Sequence, residues 1–442
     1  MSVSVQYDIR GATASAIARS IEERAQAGRI APGAALPTVR GLAAALSVSP
    51  ATVAAAYRLL GGRGLLAAQG RRGTRLRHRP PLATPRAPAV PPHLRNLADG
   101  NPDPALLPSW KGALRRIEGR HRLYGESPHR PRLLRLAARE MGDGGIPAES
   151  LAIVGGALDG IERVAQAHLR AGDRVAVEDP GYTAVLDLLS ALGLVAEPVP
   201  VDDYGMSPGD LGRTLRAGAV ACILTPRAQN PTGAALDPGR ARDLRTVLDR
   251  HPGVLVIEDD HAGLVAGAPA LTVVHRKRER WAVVRSVSKS LGPDLRLAVL
   301  AGDPLTVARV EGRRALGAGW VSGVLQGIVE GLWSDPMTAT RLGKAARTYA
   351  RRRQGFIQAL SRHGIAARGR SGLNVWIPVP EEAAILSHLA AAGWAVRGGE
   401  RYRLRTPAAI RVTTATLRPP EAERLAADVA RGLSGAGRPA TA

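Results

Sequence analysis

Three short stretches near the start of the chain carry helical apolar patterns with clear stop signals. ATASAIARSIEERAQAG (12–28) predicts a first helix that ends at Gly28. TVRGLAAALSV (38–48) predicts a second, with Thr38 as its N-cap. SPATVAAAYRLLGGRG (49–64) predicts a third, capped by Ser49, with Pro50 in the first turn where proline is tolerated. LLAAQ, GRRG and TRLRH then read as strand, turn and strand. A tight helix–turn–helix followed by a basic hairpin is the pattern of a winged helix-turn-helix.

Residues 79–95 (RPPLATPRAPAVPPHLR) are proline-rich and have neither period, so they read as a semi-rigid linker. Beyond it, short apolar runs alternate with helical segments. RVAVEDP, ACILTP, VLVIEDD and AVVRSVS each end in polar, Gly or Pro residues. That alternation predicts an α/β main domain with a mainly parallel sheet. Past residue 330 the pattern turns to helices with a few strands, a smaller C-terminal α+β subdomain. The expected boundaries are a head over 1–78, a linker over 79–96 and a main domain over 97–442. Ligands of such sheets bind at the carboxyl ends of the strands. Asp179, Asn230, Asp259, Ser286 and Lys289 fall at those ends.

Composition narrows the partners. The 442 residues carry a formal charge of +23, spread unevenly. Residues 1–95 hold 14 Arg and three acids, a surplus of +11, and the remaining 347 residues hold +12. Basic charge concentrated in the first fifth of the chain points to a polyanion partner, most simply nucleic acid. A lone cysteine, Cys222, lies in an apolar run and reads as core, and no metal site is expected. No stretch approaches the roughly 18 uninterrupted apolar residues of a membrane span, and the N-terminus lacks signal-peptide regions, so a cytoplasmic protein with no membrane partner is expected.

Only four of the 61 basic residues are lysines. An arginine stays protonated and cannot form a Schiff base, so a lysine at a strand end invites scrutiny. Lys289 sits in SVSKSLGPDLR, among Ser286, Ser288 and Ser290 and seven residues before Arg296, a setting suited to phosphate.

Two resemblances follow. The segment 36–76 resembles a GntR-type winged helix through Leu36-Pro37, Arg40, Leu42-Ala43, Leu46, Val48-Ser49, Thr52-Val53, Tyr57, Leu60, Gly64-Leu65 and Gly73-Thr74. This implies DNA contacts from Arg40, Ser49 and Thr52, and from Gln69, Gly70, Arg71 and Arg72 in the wing. Pro50 stands where many relatives carry a basic residue. Tyr57 reads as core.

Residues 97–417 resemble fold-type I enzymes dependent on pyridoxal 5'-phosphate (PLP), with the motifs in the family's order. The resemblance implies that Lys289 forms the Schiff base with PLP and that GGALDG (155–160), through Gly156 and Ala157, receives the phosphate at a helix N-terminus. It puts Tyr182 of VEDPGY on the ring, Asn230 of QNPTG at the ring hydroxyl and Asp259 of VIEDDH at the pyridine nitrogen. Ser286 and Arg296 join the cofactor site, and Arg411 of AIRVTTA serves a substrate or effector carboxylate. Tyr124 is implied to reach a neighbouring subunit's phosphate. Two positions depart from the pattern. His261 stands where relatives have tyrosine, a donor whose protonation would vary near neutral pH. Asn374 stands where many such regulators have histidine.

Head, linker and main domain together resemble the MocR subgroup of GntR-type regulators. That implies a homodimeric transcriptional regulator whose effector is PLP, or an amino acid reacting with bound PLP. The alternative is a working aminotransferase that carries a DNA-binding head.

Overall fold

The computed structural model describes residues 7–31, 33–62, 65–68, 73–76, 90–117 and 123–436. In the N-terminal part, α1 (Ala14–Gln26) is capped by the Thr13 hydroxyl and α2 (Val39–Leu46) by that of Thr38. The third helix, α3 (Pro50–Gly62), takes its cap from Ser49, whose hydroxyl accepts from the Thr52 amide at 3.1 Å. Helices α2 and α3 meet at 118°, with three residues between them. The hairpin pairs β1 (Leu66–Ala68) antiparallel with β2 (Thr74–Leu76). Ile17, Ile21, Leu42, Val53, Leu60 and Leu76 are buried in one core, built almost entirely from aliphatic side chains. Tyr57 joins it and donates its hydroxyl to the Pro37 carbonyl at 2.7 Å.

In the main domain, eight strands form one sheet: β3 (Leu151–Val154), β4 (Arg174–Asp179), β5 (Val195–Asp202), β6 (Gly205–Met206), β7 (Ala221–Leu224), β8 (Leu255–Asp260), β9 (Trp281–Ser286) and β10 (Ala298–Gly302). Their order is β3-β10-β9-β8-β7-β4-β5-β6. β7, β8 and β9 run parallel, and β8 and β9 are buried at every position, which is why their sequences read as unbroken apolar runs. β10 runs against both β9 and β3, and it pairs Ala298 with Ser286. The antiparallel return brings Arg296 to the carboxyl end of β9. Helix α4 (Ala157–His168) lies close on the sheet at Gly160, where a Cβ would stand 2.9 Å from Val284 Cγ1.

A 27-residue helix, α5 (Pro336–Arg362), leads into a second core. There β11 (Asn374–Pro378), β12 (Arg397–Gly398) and β13 (Ala409–Thr413) form an antiparallel sheet in the order β11-β13-β12. Helices Glu382–Ala391 and Pro419–Ala436 complete this part. Phe356, Val375, Ile377, Ile410, Val412 and Leu425 fill its core. Leu97 packs there too, and Arg95–Asn96, the last residues of the expected linker, pair with Trp394–Ala395 as a short strand. Proline content concealed this pairing, because it depends on a partner about 300 residues away. No single helix among the described residues is long and apolar enough to cross a membrane.

Candidate functional site

The carboxyl ends of the central strands gather most of the residues expected to chemistry. Asp259, near the end of β8, is buried, and its Oδ1 has no hydrogen-bond partner. Burial, then the charges of Asp260 and Glu178, push its carboxyl up to about 7. Lys289 lies three residues past β9 and donates from Nζ to the Gly100 carbonyl at 2.8 Å. Burial, then the nearby Arg411 cation, lower its amine to about 8. A large fraction of this amine is therefore neutral, and nucleophilic, near pH 8.

Arg411 sits in β13, fully enclosed, with no carboxylate within 4 Å among the described residues. Its Nη1 donates to Asn230 Oδ1 at 3.1 Å and its Nη2 to the Ala98 carbonyl, while its Nε has no partner. The guanidinium carbon stands 5.1 Å from the centre of the Tyr402 ring, a cation–π contact. Asn374 Nδ2 approaches the same Asn230 oxygen at 3.4 Å, and Asn374 Oδ1 accepts from the Thr413 hydroxyl at 3.0 Å. Asn230 thus presents its oxygen to Arg411 and Asn374, which leaves its amide NH2 for another acceptor.

On the other flank, Gly156 has φ +113, and a Cβ there would stand 3.2 Å from Arg296 Nη2. Only glycine lets this turn and this guanidinium approach so closely. The turn opens α4 at Ala157, whose free backbone N–H groups suit an anion. Ser286 closes β9 and bonds to Ser288 Oγ at 3.0 Å. Tyr182 feels Asp259, Tyr402, Arg411 and Arg296, and burial, the largest effect, raises its hydroxyl pKa.

His261 corrects one expectation. Burial, then the Lys289 cation, hold its imidazole down to about 4, so it is neutral near pH 7 rather than titrating there. Asp260 was not singled out in the sequence. It takes two bonds from Arg227, at 2.9 and 2.8 Å, and one from Arg285 at 2.6 Å, all buried. Burial alone would raise Asp260, but the two guanidiniums outweigh it and hold the group ionised. Adjacent carboxyls thus receive opposite environments: Asp260 is saturated with arginine and Asp259 is left open. Glu178 and Gln229, bonded to each other at 3.2 Å, were also missed. Nothing in a single sequence separates these buried network members from ordinary core-edge residues.

These groups fit PLP. A buried carboxylate with an unpartnered oxygen would suit a pyridinium N–H, a glycine turn meets an arginine at a helix start, and a desolvated lysine lies in the same site. Tyr124, expected to reach a neighbouring subunit, is 93% exposed and packs edge-on against Trp320 at 5.5 Å. Cys222 is core, as expected.

In the head, Arg40 and Ser49 are exposed and Thr52 is half-buried. The Ser49 and Thr52 hydroxyls lie 2.8 Å apart at the start of α3. Gln69, Gly70, Arg71 and Arg72 lie outside the described residues.

The family described as aminotransferase class I and II matches residues 92–429, and the gntR family of bacterial regulatory proteins matches residues 13–76. The vitamin B6 salvage pathway transcriptional repressor PtsJ of Salmonella typhimurium is 42% identical over 429 residues, covering 96% of this chain and all of the relative. The HTH-type transcriptional regulator TauR of Rhodobacter capsulatus is 28% identical over 408 residues, covering 81% and 82%. The α-aminoadipate aminotransferase LysN of Thermus thermophilus superposes with a TM-score of 0.69 at 21% identity, over 78% of this chain and 93% of that one, which shows the fold. A GntR-type DNA-binding head on an aminotransferase-class PLP body defines a transcriptional regulator. The chain belongs to the MocR subgroup of GntR-type regulators.

Proposed function

We propose that this regulator senses PLP itself, and that occupancy of the Lys289 site changes its hold on a promoter. One observation carries the reading: the unpartnered Asp259 carboxylate, buried in the same site as the low-pKa Lys289 amine. Lys289 would hold the cofactor's aldehyde carbon and Asp259 its ring nitrogen. Asn230 and neutral His261 would serve the ring hydroxyl, and Tyr182 the ring face. Gly156, Ala157, Ser286 and Arg296 would take the phosphate. Bound there, PLP supplies an aldehyde for a buried amine and an electron-poor ring.

Two of the five Arg411 N–H groups already donate to groups of this chain, and the Nε–H has no partner. PLP is favoured over an amino acid by the vitamin B6 context of the PtsJ relative. The PtsJ relative is a repressor of vitamin B6 salvage, and repression of such genes is the outcome this reading favours. The protein would act in the cytoplasm as a homodimer. Supporting the dimer, Trp110, Leu114, Leu123, Tyr124 and Val324 are large apolar side chains left exposed on the main domain. We take residues 1–78 as head, 79–96 as linker and 97–442 as body.

The test is to titrate purified protein with PLP while following absorbance and promoter binding together. Both should change over the same concentration range. If promoter affinity ignores PLP but answers an amino acid added to PLP-loaded protein, the effector assignment is wrong.

A further inference from the structure

Helix α5 carries seven basic residues and no acid in 27 positions. Its inward arginines serve the fold. Arg353 is buried and donates to the carbonyls of Gly369, Arg370 and Gly372, and Arg352 pairs with Asp103 at 2.8 Å. Near the C-terminus, Arg362 pairs with Glu423. The remaining four, Arg341, Lys344, Arg347 and Arg351, are exposed. Spaced at three or four residues, they share one face of the helix and span about 15 Å of its length. None of the four meets a carboxylate within 4 Å among the described residues. Arg341 reaches only the Ala105 carbonyl and Arg351 only the Thr348 hydroxyl.

The surrounding acids are already committed. Asp335 caps α5 itself, Glu330 pairs with Arg130, and Glu421 pairs with Arg95 and Arg418. Two other helices of the body do answer a cation from within: Asp210 pairs with Arg213 and Glu311 with Arg314.

We propose that this face of α5 is a second DNA-contacting surface, binding duplex phosphates without reading sequence. It rests on the reading of the protein as a DNA-binding regulator. Four cations in a row on a rigid helix suit a polyanion of regular spacing, and the body's own surplus of +12 supplies the field that attracts one. Long, hydrated side chains lose little by meeting phosphates at a wet surface, since condensed counterions are released in exchange.

The experiment uses the full-length protein and a random-sequence duplex of about 60 base pairs, with affinity measured by anisotropy across a salt series. The arms are wild type, a variant with Arg341, Lys344, Arg347 and Arg351 all changed to Gln, and one with the three arginines changed to Lys. The Gln variant should lower the slope of log affinity against log salt by about 3 to 4, at about 0.9 per phosphate lost. The Lys variant should keep the wild-type slope, because charge alone is needed. PLP absorbance, unaltered in both variants, checks the fold. A slope change smaller than one contact would overturn the proposal while leaving DNA binding by the head intact. Wild type failing to bind any duplex would instead remove the regulator reading beneath it. Anionic phospholipid vesicles form a second probe. Vesicle binding lost in the Gln variant, with DNA binding unchanged, would assign the face to a membrane surface and overturn the proposal.

Discussion

Lys289 donates to the carbonyl of Gly100 across 2.8 Å, although 189 residues separate them in the chain. Two residues earlier, Ala98 receives Arg411. The two buried cations of the site therefore rest on one backbone segment, and among the described residues no carboxylate lies within 4 Å of either. Gly100 has φ +68, and a Cβ added there would stand 3.6 Å from Arg411 Nη2, so the segment runs close over the guanidinium. This arrangement leads to the first expected outcome. The lowered pKa of Lys289 means that the neutral amine increases as pH rises through about 8. PLP uptake by wild type should accelerate between about pH 7 and 9 and then level off. Lys289→Ala should show no absorbance band near the visible edge at any pH. Stopped-flow absorbance reads both, and a coloured Lys289→Ala protein would remove Lys289 from its role.

Asp259 gives a prediction about stability. Its folded pKa, about 7, lies above its ordinary 3.8, so the folded state holds a proton more tightly than the unfolded chain. That contribution is complete below about pH 4 and is lost as pH rises through 7. Asp259→Asn removes a buried, unpaired charge. The cofactor-free variant should therefore gain on the order of 2 kcal/mol at pH 8 and little at pH 4, while PLP affinity falls at least tenfold. Thermal melts at the two pH values, with and without PLP, test this. A variant less stable than wild type at pH 8 would show that the carboxylate has a partner in the cofactor-free protein.

Arg411→Ala separates the two kinds of effector. The proposed PLP site uses other residues, so the variant should keep its PLP spectrum. If PLP is the signal, promoter binding should still respond to it, and wild type should ignore a panel of amino acids in a spectral titration. A wild-type spectrum that shifts with one amino acid, a shift abolished in Arg411→Ala, would establish the carboxylate fork and overturn the PLP reading. The lost pair would then be worth roughly 2–5 kcal/mol of ligand affinity.

In the head, Arg40→Ala should reduce the salt slope of promoter binding by about 0.9, one phosphate contact, without changing the fold. Tyr57→Phe acts oppositely. It leaves the buried Pro37 carbonyl without its 2.7 Å donor and should cost about 1–2 kcal/mol of stability, with no change in salt slope. Salt-dependent anisotropy and denaturant melts distinguish them, and an unchanged slope in Arg40→Ala would remove that contact.

Sequence alone determined the parts of this protein that are local. Thr38 and Ser49 cap their helices because a short hydroxyl side chain meets its own helix's free amides, an interaction written within four residues. The strands β8 and β9 were legible because burial on both faces demands unbroken apolar runs, and Asp259, Ser286 and Lys289 were legible because they interrupt those runs. Tertiary structure decided what depends on distant partners. Whether His261 titrates near neutral pH was set by burial beside Lys289, not by its neighbours in sequence. Asp259 and Asp260 are the same residue type side by side. Only the folded sheet gives Arg227 and Arg285 to one and nothing to the other, because successive residues of a strand face opposite sides. That division leaves one carboxylate without an arginine, and no pattern within the strand itself encodes which.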